Sequence, residues 1–593
     1  MFVTFRDRQL SPIVFVALLF FSLLFTSTSG ATTVQEHWKS PTPTKNGQIG
    51  IFYDDRELYD NSIGLYGGVT RDGKVYSELC DSLLDPDCAT AVKFSFNANL
   101  PPCVAGFTTN CVVELYLIDA KGSKTEATFK KFSTEESKHS WNGGGVDRVP
   151  SSRPESIWEV SGLTGTGTTQ LAVSAIVSGS YRPKKSDLFI DRLSGTINAV
   201  TEIARPGRKR SEGFSSEVTW MDTTLVISDN QNFYWNGGFG WQSPDDCAAV
   251  ATDICYQRQP MPVGVSVGMK IRLAKPVVGW IHGRFKAPKV EIKNESSDQV
   301  IDVRGEPITI PVIGGYFDES GVSKSIWDEF LKHPYGTIGT PDNGTARRIQ
   351  GFYPLDNLLP LTRLEKYLEL FNDQASATPS VWMFASVENR SLEESLKKLG
   401  SASKCVLDNP SVSGIVATNA TSYLGAVPEY DEKEGALNYR VAAPHYDTNR
   451  KEFLGTYDLV VDSKVARCIY NLDASAVKAT VEILASDTGS RVVASVLSEK
   501  DGWLNLGTYG FTYSSPTIKV KLAKDNAVIS TNVTTPSPTP SPSVSAEATT
   551  PLAQPSVSKV AGKRKNAIFC FKGAIKKKVS GVNPKCPKGF KQA

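Results

Sequence analysis

Thr517-Ile518-Lys519-Val520-Lys521-Leu522 and Val477-Lys478-Ala479-Thr480-Val481-Glu482-Ile483 decide the fold class. In both, apolar residues alternate with polar or small ones, the period-2 pattern of a half-buried strand. Val112 to Ile118 and Leu171 to Val177 are short apolar runs between Gly- and Asn-rich turns. Strands following one another with turns between them predict a mainly β protein of several antiparallel, sandwich-like domains. One stretch departs. Lys324 to Lys332, Leu361 to Phe371 and Leu392 to Leu399 show helical periodicity, with Ser391 and Glu394 spaced as a capping box and Gly400 as a stop. The expected order is β-rich domains over 32–205 and 206–304, a helical or mixed segment over 305–400, and a β-sandwich-like domain over 401–526.

The cysteines sharpen this map. Ten of them fall into five neighbouring pairs, Cys80/Cys88, Cys103/Cys111, Cys247/Cys255, Cys405/Cys468 and Cys570/Cys586. An even set behind an export signal reads as a disulfide framework, hence an oxidising compartment. The first three pairs would pin local loops and the fourth would fasten the start of the last β domain. Their spacing is too wide for the usual zinc-ligand pattern, and no metal or cofactor is expected.

The N-terminal segment, 1–31, carries Arg6 and Arg8, an apolar run from Ile13 to Phe25, and small residues ending in Ser29-Gly30-Ala31, the order of a cleaved secretory signal peptide. At the other end, 527–558 is a Pro/Ser/Thr-rich segment containing Thr-Pro-Ser-Pro-Thr-Pro-Ser-Pro, which buries no core and reads as an extended, disordered spacer. The last segment, 559–593, holds ten lysines, one arginine and no acidic residue, a net charge of +11. The whole chain is +3 and the signal segment +1, which leaves −9 on 32–558. Ile568 to Lys572 and Ile575 to Val579 read as two strands turned at Gly573, stapled by Cys570/Cys586 into a small basic hairpin module. Lys572, Lys576, Lys577, Lys578, Lys585 and Lys588 are its candidates for meeting anionic polymers of the cell envelope.

The sequence points to no catalytic residue. His37, His139, His282, His333 and His445 are scattered outside any metal or nucleophile motif. The acidic pairs Asp245-Asp246, Asp318-Glu319 and Asp328-Glu329 leave a glycan hydrolase open as the alternative. In Phe233-Tyr234-Trp235-Asn236-Gly237-Gly238-Phe239-Gly240-Trp241-Gln242, the pattern favours a hairpin whose aromatics pack into a core, while Trp235, Asn236, Trp241 and Gln242 would also suit a sugar-stacking loop. Trp141, in the related Trp141-Asn142-Gly143-Gly144-Gly145, is a weaker candidate of the same kind. Asn-x-Ser/Thr sequons start at Asn294, Asn343, Asn389, Asn419 and Asn532 and matter only in a eukaryotic secretory pathway.

Ile568-Phe569-Cys570-Phe571-Lys572-Gly573, the lysine run to Val579-Ser580-Gly581, and Pro584-Lys585-Cys586-Pro587-Lys588-Gly589-Phe590 resemble a C-terminal element of uncharacterised exported actinobacterial surface proteins. Thr456-Tyr457-Asp458-Leu459 through Val465-Ala466-Arg467-Cys468 to Gly502-Trp503-Leu504 is similar to the β domain that precedes such tails. Leu100-Pro101-Pro102-Cys103 with Asn110-Cys111-Val112 is similar to their N-terminal portion. The resemblance implies location and architecture, with no activity attached. The expectation is a secreted, cell-surface structural or binding protein without a transmembrane anchor after cleavage. Its basic tail would hold anionic envelope polymers or glycans, in preference to nucleic acid, and its body would bind glycan.

Overall fold

The computed structural model describes residues 48–53, 63–204, 234–235, 241–242, 246–524, 566–572, 575–581 and 591–592, apart from short stretches at 72–73, 136–139, 144–147, 162–167, 263, 296, 333–336, 340–345, 352–358, 474–476, 486–488, 494 and 514–516. The protein is mainly β, with several antiparallel sheets and few helices.

The strand Gly279–Arg284 explains the architecture. All six of its residues are buried, so both of its faces are covered. It lies between Met383–Ser386, antiparallel, and Val412–Thr418, parallel, in the middle of a 15-stranded sheet. Adjacent residues feed different cores: Ile281 joins one and Trp280 the other, as do Ile415 and Val416, and Val460 and Val461. The first core lies against a five-stranded sheet (Lys286–Glu295, Asp298–Glu306, Ser266–Leu273, Cys111–Ile118, Lys124–Glu126), whose Leu115, Leu117, Met269, Ile271 and Val303 fill it. The second takes Tyr439, Val441, Val481, Ile483, Ile518 and Val520 from a six-stranded sheet and Leu364, Leu399, Val406 and Val465 from the helical turns beside it. The result is a layered β body with one shared central sheet. Backbone approach sets part of the packing, since a Cβ on Gly414 would sit 2.3 Å from the Trp280 ring.

This sheet corrects the expected division into domains. Its main path runs from Lys74–Leu79 through Asp187–Ala204, Met383–Ser386, Gly279–Arg284, Val412–Thr418 and Leu454–Asp462 to Trp503–Thr512 and Ser495–Lys500. The segments 32–205, 206–304, 305–400 and 401–526 therefore contribute strands to one sheet and are not separate bodies. The reason is hydrogen-bond completion: Met383–Ser386 fills the gap between Asp187–Ala204 and Gly279–Arg284. The described residues up to 526 form one compact unit and those beyond it a second.

Helices Lys324–Lys332, Leu359–Tyr367 and Asn389–Leu396 fall in the stretch read as helical. The third begins at Asn389 with Glu388 as its N-cap, so Ser391 sits inside it and does not cap it. Gly400 (φ +54°) marks a break before the helix Ser403–Leu407. Four disulfides form as the sequence pairs them. Cys80–Cys88, Cys103–Cys111 and Cys247–Cys255 each close a separation of 8 residues. Cys405–Cys468 spans 63 residues and ties Ser403–Leu407 to the helix Ser463–Ile469. The Cys570/Cys586 pair falls outside the described residues, since Cys586 is not among them. Among the described residues, no helix is long and apolar enough to cross a membrane.

Candidate functional site

The basic tail folds as a three-stranded antiparallel sheet in the order Ile575–Gly581, Asn566–Lys572, Lys591–Gln592. The register puts Phe569 opposite Lys578, and Phe571 between Lys576 on one neighbour and Lys591 on the other. By strand alternation, positions 569, 571, 576, 578 and 591 share one face. Positions 568, 570, 572, 575, 577 and 579 share the opposite one, where Ile568 pairs with Val579, Cys570 with Lys577, and Lys572 with Ile575. The candidate lysines are thus divided: Lys576 and Lys578 lie on the phenylalanine face, Lys572 and Lys577 on the aliphatic face. Lys585 and Lys588 fall outside the described residues. Lys591, which the sequence reading passed over, joins the first group through its register with Phe571.

In the body, Trp235 pairs with Trp241 and Tyr234 with Gln242 in a two-stranded hairpin; Asn236 lies outside the described residues. Trp141 is a correction. It is 3% exposed in the first core, and its Nε1–H donates to the Pro150 carbonyl at 3.0 Å, so its ring offers no face to a sugar. Asp246 is buried against Arg258, whose Nη1–H donates to its Oδ1 at 3.0 Å while Arg258 N donates to its carbonyl at 2.9 Å. Asp328 is held by Lys324 one helical turn away. Asp246 is thus bound into the interior, whereas the Asp328 pair lies at the surface. Asn419 is buried as well: its amide donates to the Leu454 carbonyl, and its Oδ1 accepts from Thr456 N and the Tyr513 hydroxyl, so this sequon is closed in the folded protein.

Buried and paired ionisable groups lie at residues to which the sequence assigned no role. His282 and Arg284, two apart on the strand Gly279–Arg284, lie on the side of the second core among tyrosines. The Tyr439 hydroxyl lies 3.0 Å from His282 Nδ1, and the Arg284 guanidinium sits 4.3 Å over the Tyr423 ring while donating to the carbonyls of Thr418, Ala420 and Thr421. Burial, reinforced by the Arg192 and Arg284 charges, pushes His282 down to about 3, so it is a neutral packing residue at physiological pH. Asp458 is its acidic counterpart, pushed up to about 7 by burial against hydrogen bonds that favour its charged form. His445 Nδ1 contacts Asp373 Oδ2, and His445 N donates to Asp373 Oδ1 at 2.9 Å. Tyr446 N to Asp373 O (3.2 Å) and Ala375 N to Tyr446 O (2.8 Å) complete a latch between two loops. The alternation Trp280-Ile281-His282-Gly283-Arg284-Phe285 was the available signal for the first cluster, since it sets two polar residues on one side of an otherwise apolar strand. These groups are bound into the interior or into loop anchoring. The tail's register sets lysine positions across from phenylalanine positions on one sheet face.

No protein-family model, no curated protein and no solved structure matches this chain.

Proposed function

We propose that this is an exported, disulfide-locked β protein held at the cell surface by its C-terminal module, with the body acting as a structural or binding element. One observation carries the reading: a net charge of +11 gathered in 559–593 behind a Pro/Ser/Thr spacer, against −9 on the rest of the mature chain. An anionic polymer attracts the basic module and repels the acidic body, so the opposite charges assign attachment to the module. Four disulfides in the body support an oxidising destination. The Trp235/Trp241 hairpin is the body's own candidate for a glycan. A hydrolase is the less favoured reading, because Asp246 is buried in an ion pair with Arg258.

The test is co-sedimentation with isolated cell envelopes, comparing the mature chain with one ending at residue 558. The reading expects the full chain in the pellet and the shortened one in the supernatant. Equal sedimentation of the two would overturn it.

A further inference from the structure

We infer that the tail's partner is an anionic polysaccharide, met on the single sheet face that carries positions 569, 571, 576, 578 and 591. This rests on the tail being the attachment element and goes on to name the polymer and the face. The tail's two faces differ in kind. One face carries positions Ile568, Cys570, Ile575 and Val579 together with Lys572 and Lys577. Two phenylalanine positions, 569 and 571, fall on the other face.

Their placement gives them a use. Asn566–Lys572 is the central strand, so its aromatic positions have lysines across from them: Lys578 opposite Phe569, and Lys576 and Lys591 on the two sides of Phe571. Neighbouring strands lie about 4.8 Å apart, and alternate residues along one strand about 6.8 Å apart. The face therefore sets aromatic positions and lysine positions across from one another on strands about 4.8 Å apart. A charged sugar polymer repeats the matching chemistry. Each pyranose ring presents C–H bonds to the negative face of an aromatic ring, and its carboxylate, sulfate or phosphate extends sideways to an ammonium group. A polyanion without rings engages only the lysines. Single-stranded nucleic acid offers both rings and phosphates, but an exported, disulfide-bonded chain is directed to the compartment where envelope glycans are the abundant polyanions.

The experiment measures binding of the full mature chain to three probes, alginate, polyphosphate and oligo(dT), at one moderate ionic strength. The paired change Phe569→Ala/Phe571→Ala is expected to weaken alginate binding about tenfold while leaving polyphosphate binding within about twofold, since only the first uses stacking. Phe569→Tyr/Phe571→Tyr should retain alginate binding. Lys576→Gln/Lys578→Gln/Lys591→Gln should weaken both polymers more than Lys572→Gln/Lys577→Gln. Intact mass under non-reducing conditions, showing Cys570 and Cys586 still oxidised, separates a lost contact from a lost fold, and the tyrosine pair gives the answer if the alanine pair does not close. Phenylalanine changes that affect alginate and polyphosphate alike would overturn the inference while leaving tail attachment intact. So would phenylalanine-dependent binding that is tighter for oligo(dT) than for alginate. Indifference of all three probes to every lysine change would bring down the attachment reading itself.

Discussion

The Tyr509 hydroxyl donates a 2.5 Å hydrogen bond to Asp458 Oδ1, and that carboxyl is only 3% exposed. Its second oxygen accepts from Ala287 N at 3.3 Å, from a residue held at φ +50° where the chain passes from the central sheet into the five-stranded one. Lys286 adds its ammonium 4.8 Å over the Tyr509 ring. One carboxyl thus fastens two sheets together, at the expense of its own hydration.

The pH dependence of stability follows. Burial raises Asp458 from 3.8 to about 7, so the folded protein holds a proton there that the unfolded chain has released. The contribution of this group is most favourable below about pH 4 and is lost as pH rises through 7, a span worth roughly 4 kcal/mol. Asp458→Asn should flatten this decline. Urea midpoints of the two proteins at pH 5 and pH 7.5 check it, and parallel declines would contradict it.

His282 works in the opposite direction. Its value is lowered from 6.5 to about 3, so its contribution is fully present above pH 6.5 and is lost as pH falls toward 3. His282→Gln should resist acid between pH 6 and pH 4 better than the parent does, even where it is less stable at neutral pH. Circular dichroism through an acid titration measures this. An unchanged acid midpoint would place the acid sensitivity elsewhere.

Trp141 is a test of structural against binding roles. Trp141→Ala should lower stability by about 3–5 kcal/mol, the loss typical of a large core aromatic. At temperatures where the variant is folded, its alginate affinity should match the parent's. Lost affinity in a fully folded variant would restore Trp141 to a binding site.

The disulfides should differ in weight. Loop-closure entropy gives about 4 kcal/mol for Cys405–Cys468, whose residues are 63 apart, and about 2.5 kcal/mol for Cys80–Cys88, which are 8 apart. Double alanine replacements of each pair, compared by denaturant midpoint, should show the larger loss for the first. The reverse order would mean that native geometry outweighs chain entropy.

What the sequence made legible was local. The alternation at Val477–Ala485 and Thr517–Lys524 became paired strands, with Val481 opposite Val520. The cysteine spacings became four disulfides, and the helical periods of Lys324 to Lys332 and Leu361 to Phe371 became helices. What stayed hidden was non-local pairing. Met383–Ser386 sits inside a stretch of helical character, and nothing in its four residues announces partners in Asp187–Ala204 and Gly279–Arg284. Val412–Thr418, buried on both faces, lacks the alternation that marks a half-buried strand. The contact of Asp458 with Ala287 crosses 171 residues, a distance no local pattern encodes. In the tail, the charge was plain from composition, but sorting its lysines into two faces required the register.

The most direct measurement for tail attachment is the salt dependence of binding of the full mature chain to isolated envelopes. Between about 0.1 M and about 1 M salt the screening length falls from roughly 10 Å to roughly 3 Å. Many weak lysine contacts should therefore release the chain, with at least about a tenfold loss of affinity across that range. Lys576→Gln/Lys578→Gln/Lys591→Gln should shallow the dependence. Binding that is unchanged by salt, or whose salt dependence is the same with and without those three lysines, would contradict the account.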